Sequence, residues 1–235
     1  MSRTNFTNIT LILIGCGALV ALLSVWLGSK ATTPQVSLTD TNESLVAPLN
    51  IDQLPAYKTT MTNEKTPLAK LTTNLGNFSL ELYEDVMPIT ASNFIELAES
   101  GYYDGIKFHR VIPKFMIQGG DPITKTDNVA AYGTGGPGYA IPDEHVAGEK
   151  KLSNIRGTIS MANSGPNSGG SQFFINVADN ANLDFDKQPL SSKHPVFGQV
   201  IGGMEVVDAI ALVERNERDL PLEPVIIESV KITRQ

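Results

Sequence analysis

Cysteine is almost absent from this chain of 235 residues: Cys16 is the only one, and it lies in an apolar N-terminal stretch. An intramolecular disulfide is therefore impossible, as is a metal site built on cysteine, and stability must come from a packed core. Tryptophan is equally scarce, with Trp26 in the same stretch. Three histidines (His109, His145, His194) stand far apart and lack a ligand spacing such as H-E-x-x-H, so a catalytic zinc is not expected. Basic surplus is missing too. Lys+Arg number 18 against 25 Asp+Glu, and residues 1–66 are balanced, so the net charge of −7 rests on residues 67–235. A surface of that sign is poorly suited to displacing counterions from nucleic acid, and no nucleic-acid partner is expected.

Several common chemistries are also missing. GTGGPG at 133–138 fits G-x-G-x-x-G, but no strand precedes it and Pro137-Gly138 opens no long helix, so the βαβ context of a dinucleotide site is lacking. No G-x-S-x-G surrounds Ser168 or Ser171, and there is no P-loop.

What is present first is a membrane signal. Residues 9–27, ITLILIGCGALVALLSVWL, form an uncharged run of 19 residues. As a helix rising about 1.5 Å per residue, it matches a hydrocarbon core of about 30 Å. The expectation is one transmembrane anchor within residues 1–30, with Trp26 at an interface. Two processing routes stay open: cleavage after Ala31, because Ser29-Lys30-Ala31 has small-x-small form, and lipidation at Cys16. Arg3 and the α-amino group lean the topology towards N-terminus inside and domain outside. The expected location is thus a single-pass membrane protein with an extracytoplasmic domain, or a secreted domain after cleavage near Ala31. Residues 31–66 are rich in Thr, Asn, Ser and Pro without an apolar period, and read as a flexible linker.

Organisation begins at Pro67. Alternation over 68–73 and 78–83 around Asn74-Leu75-Gly76-Asn77 predicts a hairpin. Met87-Pro88 opens a helix that Gly101 stops. Short strands are expected at 107–112, 115–119, 157–161, 173–177 and 196–201, a second helix at 205–213, and a last strand at 225–233. Many short strands with two helices and no internal repeat point to a mainly β, closed or nearly closed antiparallel barrel.

Two segments narrow the function: FHRVIPKFMIQGGD at 108–121 and SMANSGPNSGGSQFF at 160–174. Together they closely resemble the cyclophilin family of peptidyl-prolyl isomerases, and Gly133-Thr134-Gly135-Gly136 and KHPVFG at 193–198 follow in the family's order. The resemblance covers about residues 67–235. It implies a closed eight-stranded antiparallel barrel capped by two helices, acting on proline-containing polypeptides without a cofactor or metal; a monomeric soluble domain is the default expectation for residues 67–235. It implies Arg110 as catalytic residue, with Phe115, Met116, Phe174 and Leu183 around the proline ring and His194 at the rim. Gln118, Asn163 and Gln172 would hold the substrate backbone, with Ala162, Ser164 and Gly133 lining the groove.

The residue types suit the chemistry. Amide resonance sets a barrier of about 18–20 kcal/mol to X-Pro rotation. Twisting returns a lone pair to the prolyl nitrogen, and a fixed guanidinium donor stabilises that twisted form selectively. Taken alone, Arg110 before the β-branched Val111 and Ile112 also reads as an ion-paired strand residue, Phe115 and Phe174 as core, and His194 as a loop histidine. Phe108 and Phe173 are expected in the core.

Three departures stand out. Asn182, before Leu183-Asp184, replaces a pocket-edge tryptophan common in the family, which argues against cyclosporin binding. Ser164 replaces a common alanine. The segment FDKQPLSS at 185–192 is longer than the usual loop. A peptide-binding or chaperone module with weak or no catalysis is the alternative function, and a surface adaptor using the barrel as scaffold a third.

Overall fold

The computed structural model describes residues 65–148, 152–188 and 193–235. The apolar run at 9–27 and residues 31–64 of the linker lie outside the described residues; among the described residues no helix is long and apolar enough to cross a membrane.

The chain enters on a hairpin, β1 (Pro67–Thr73) and β2 (Gly76–Leu82). Ala69, Leu71, Phe78, Leu80 and Leu82 alternate inward and are all buried. The turn needs its glycine twice over. Gly76 has φ +130°, and a Cβ there would come within 2.9 Å of a Val206 methyl.

Helix α1 (Pro88–Glu99) follows. Pro88 at its first position fits the helix start, where the missing N–H is not needed. Met87 offers no capping side chain, and Glu144 supplies one from afar: its carboxylate accepts Ile89 N at 3.2 Å and Thr90 N at 2.9 Å. At the other end Gly101 N donates to Ala98 O and Tyr102 N to Leu97 O, both at 3.0 Å, with Gly101 at φ +72°. That is a Schellman stop, and glycine is what permits it. Ala91, Phe94, Ile95 and Ala98 repeat at helical spacing and face the core.

Six further strands and one helix complete the domain: β3 (Arg110–Ile112), β4 (Met116–Gly119), β5 (Thr158–Met161), β6 (Phe173–Asn176), β7 (Val196–Gly202), α2 (Met204–Ala211) and β8 (Ile227–Arg234). All pairings are antiparallel, in the order β3-β4-β6-β5-β7-β2-β1-β8. The ladder ends at β3 and β8. Between them lie one isolated bridge, Lys107 with Ile226, and single bonds such as Phe108 N to Val225 O at 2.9 Å. The closed barrel expected from the sequence is thus an eight-stranded antiparallel half-barrel with two helices. Residues 107–109, expected as the start of β3, touch the other edge only by these few bonds, so regular pairing begins at Arg110.

The interior holds an aromatic cluster. Phe94 stands 5.0 Å from Tyr103, 5.5 Å from Phe173 and 5.5 Å from Phe197, and Phe108 meets Phe173 edge-on at 6.2 Å. Such rings bury large apolar areas in offset and edge-to-face contacts. Phe108 and Phe173 are core, as expected.

Candidate active site

Strand parity builds the site. Cross-strand partners point to the same face of a sheet, and successive residues to opposite faces. Val111, Ile117, Ile175 and Ile159 are paired in one row across β3, β4, β6 and β5, and all are fully buried towards the core. One residue away, Arg110, Gln118, Phe174 and Ser160 form the neighbouring row and point outward. Met116 and Asn176 are paired two residues along the same outer face. This single register brings Arg110, Gln118, Phe174 and Met116 together.

The row grades from wet to dry. The Arg110 side chain is 44% exposed. Gln118 is half-buried, Phe174 retains 4% exposure and Ser160 none. Phe174 is covered because His194 meets its ring edge-on at 5.3 Å. The His194 ring is in turn fixed by a bond between Nδ1 and Met161 O at 3.1 Å. Burial pushes the His194 pKa below its ordinary value, which favours a neutral ring beside the apolar wall.

Polar groups brace the wet end. Gln118 Nε2 donates to Gln172 Oε1 at 3.0 Å, and Gln172 Nε2 donates to Gly133 O and Gly135 O at 3.0 and 2.8 Å. The amide of Gln172 thus ties the glycine loop to the row, and orients Gln118 so that its own Oε1 can face a peptide. Gly133 N donates to the buried carboxylate of Asp121. A Cβ at Gly133 would sit 3.6 Å from the His109 ring, in ordinary contact, but its φ of +89° favours glycine. Burial, the largest effect, lowers the His109 pKa, and the nearby Asp121 carboxylate opposes it.

The other expected residues fall around this frame. Ala162 N donates to Gln172 O at 3.0 Å, placing Ala162 and Asn163 on the chain leaving β5. Asn163 Nδ2 donates to Lys193 O at 2.6 Å, so its side chain holds the segment before His194. Leu183 is half-buried, and its carbonyl accepts His194 N at 3.3 Å. Phe115 is half-buried in the turn between β3 and β4, and its carbonyl accepts Val177 N and Asn180 Nδ2 at 3.0 and 2.8 Å. Ser164 is exposed; its N–H donates to Ser168 Oγ at 2.8 Å in its own turn, apart from the row.

Beneath the outer face runs a polar network that the sequence did not suggest. Ser160 Oγ donates to Asn154 Oδ1 at 2.7 Å, and Asn180 Nδ2 to Asn176 Oδ1 at 2.8 Å. Asn154 donates from its backbone N and from Nδ2 to Asp184 Oδ1, at 2.8 and 3.1 Å, and from Nδ2 also to His194 O at 3.2 Å. Asn154, Asn176, Asn180 and Asp184 are all buried. They hold Phe115, the Leu183 turn and His194 in mutual register. The one signal was Asn176, a polar residue closing an otherwise apolar strand.

Comparison with known proteins identifies the family of the domain. The family described as "Cyclophilin type peptidyl-prolyl cis-trans isomerase/CLD" matches residues 68–232. Peptidyl-prolyl cis-trans isomerase-like 1 of Emericella nidulans is 42% identical over 164 residues, covering 68% of this chain and 91% of that protein. A putative bifunctional phosphatase/peptidyl-prolyl cis-trans isomerase of Streptococcus pyogenes is 40% identical over 196 residues, but the match spans only 39% of its length. A crystal structure of a Cryptosporidium parvum cyclophilin type peptidyl-prolyl cis-trans isomerase superposes with a TM-score of 0.60 at 29% identity, covering 73% of this chain and 99% of that one. The chain belongs to the cyclophilin-type family, and its half-barrel is a peptidyl-prolyl cis-trans isomerase.

Proposed function

We propose that the outer face of β3, β4 and β6 accelerates X-Pro rotation by stabilising the twisted amide, with Arg110 as the donor to the prolyl nitrogen. The observation that carries this reading is the cross-strand row Arg110–Gln118–Phe174. It sets a permanent cation, an amide and an aromatic wall side by side on rigid strands. Met116, Phe174, Phe115 and Leu183 take the proline ring, and His194 closes the rim. Gln118, braced by Gln172, holds the peptide backbone, as does the chain at Ala162 and Asn163, with Gly133 and Ser164 further along the groove.

No covalent bond forms or breaks. The planar ground states leave the prolyl nitrogen a poor acceptor, whereas the twisted state makes it a good one, so the guanidinium binds the twisted form more strongly. Its orientation is set before the substrate arrives, which avoids reorganisation at the moment of rotation. The dry wall anchors the ring while the preceding residue turns.

We place the enzyme outside a membrane, tethered by residues 9–27 and the 31–66 linker, where it assists folding of proline-containing exported chains. The uncharged run of 19 residues supports this placement. Asn182 is exposed at the position where tryptophan is common, which supports weak cyclosporin binding. Activity is tested on residues 65–235, since relatives such as that of Emericella consist almost wholly of this region. The fragment is expected to speed isomerisation of an Ala-Pro peptide well above its uncatalysed exchange over tens to hundreds of seconds. A folded fragment without acceleration would overturn the reading. Fractionation of cells expressing the full chain tests placement: recovery in the soluble cytoplasm would contradict it.

A further inference from the structure

Arg110 sits on an edge. β3 ends the ladder and pairs with β4, so Gln118 and Phe174 flank the arginine on one side and, among the described residues, no strand flanks it on the other. A long, flexible cation in such a place would sample many rotamers unless something held it.

What occupies the open side is the loop between α2 and β8. The loop is braced within itself. Leu222 N donates to Glu214 O and Asn216 N to Leu220 O, both at 2.9 Å. Asn216 Oδ1 accepts Arg218 N and Leu220 N at 2.9 and 3.2 Å. At its tip Asp219 adopts φ +60°, and its carbonyl accepts the N–H of Val111, the neighbour of Arg110, at 2.8 Å. The loop tip is thereby fixed to the strand that carries the arginine. Its carboxylate is shared: Oδ1 accepts Arg215 Nε at 3.2 Å, and Oδ2 lies 4.0 Å from Arg110 Nε.

We propose that Asp219 is a positioning residue for Arg110, drawing the Nε side of the guanidinium towards the loop and turning the Nη fork to the groove. The separation suits the task. A bidentate pair would occupy the donors that the reaction needs. With Arg215 bonded to one oxygen, the carboxylate attracts Arg110 without capturing it. This inference rests on Arg110 being the reacting donor.

The test uses the full chain and Asp219→Asn. Asparagine tolerates the left-handed backbone, keeps the carbonyl bond to Val111 and removes the charge. Two readouts are taken: the NMR order parameter of the Arg110 Nε–Hε group, and kcat and KM separately on an Ala-Pro peptide. We expect the Arg110 side chain to become more mobile, and kcat to fall about 2- to 5-fold with KM little changed, the size appropriate to a half-exposed ion pair. Asp219→Glu should recover part of both. Equal order of Arg110 in Asp219→Asn and wild type would overturn the proposal, as would a loss confined to KM. Arg110 loosened with turnover unchanged would overturn the positioning role of Asp219, whereas full activity in Arg110→Ala would instead overturn the catalytic role of Arg110.

Discussion

The two faces of β3, β4, β6 and β5 are built from alternate residues of the same strands, yet they do different work. The inner row, Val111, Ile117, Ile175 and Ile159, is uniformly apolar and fully buried. The outer row, Arg110, Gln118, Phe174 and Ser160, runs from a half-exposed cation to a buried hydroxyl. The inner face needs only volume and apolarity, which a core tolerates in many combinations. The outer face needs particular groups at particular places, and a buried polar network holds Phe115, the Leu183 turn and His194 beside it. A site is thus obtained from a stability scaffold by changing one residue in two along a few strands.

Substitutions can break that division. Phe173→Ala, on the inner face among Phe94, Tyr103 and Phe108, should cost about 3–5 kcal/mol of stability, read as a lower urea midpoint. KM of the protein that remains folded should hardly change. Arg110→Ala, on the outer face, should lower kcat/KM about 10²–10³-fold while leaving the midpoint in place. Asn180→Ala sharpens the comparison from between the faces. It strips a donor from Asn176 Oδ1 and Phe115 O, and should cost about 1–3 kcal/mol while also raising KM.

Acid should act through the histidines. Burial holds the pKa of His109, His145 and His194 below the ordinary 6.5. As pH falls through 6.5 the unfolded chain takes up protons before the folded one, so stability declines below that point until the folded histidines also titrate. A urea midpoint lower at pH 5.5 than at pH 7.5 is expected. His194→Gln should reduce the difference. The smallest effect belongs to neither face: Arg156 and Asp208 pair at 2.7 Å near the surface, and Asp208→Asn should cost only about 0.2–1 kcal/mol at pH 7, measured by thermal unfolding. The guanidinium bond holds the Asp208 pKa low, so this contribution is present at neutral pH and lost as pH falls through that lowered value.

Much of the fold was legible because it is local. The β1–β2 hairpin shows as alternation around a glycine turn, and α1 as a proline start, a helical period and a glycine stop. Boundaries failed where pairing depends on distant chain: residues 107–109 look like the beginning of β3, but their partner is the entrance to β8, more than a hundred residues away. The row of Arg110, Gln118 and Phe174 was legible through the family resemblance, because periodicity alone does not tell a catalytic arginine from an ion-paired one. Gln172 was expected to hold substrate, and its amide holds the Gly133–Gly135 carbonyls, a brace that only the folded loop reveals. The Asn154, Asn176, Asn180 and Asp184 network left almost no trace, since its members meet across separate loops. Asp219 sits in a charged segment that reads as ordinary surface.

In the proposed mechanism one outer-face guanidinium lowers the barrier, and the stability of the scaffold does not depend on it. The most direct test measures Arg110→Ala and wild-type residues 65–235 side by side, for isomerisation of an Ala-Pro peptide and for urea unfolding. Arg110→Ala should lose most of the acceleration at an unchanged midpoint. Retained acceleration would contradict it, and so would a loss of activity matched by a fall in the midpoint, because the arginine would then belong to the scaffold.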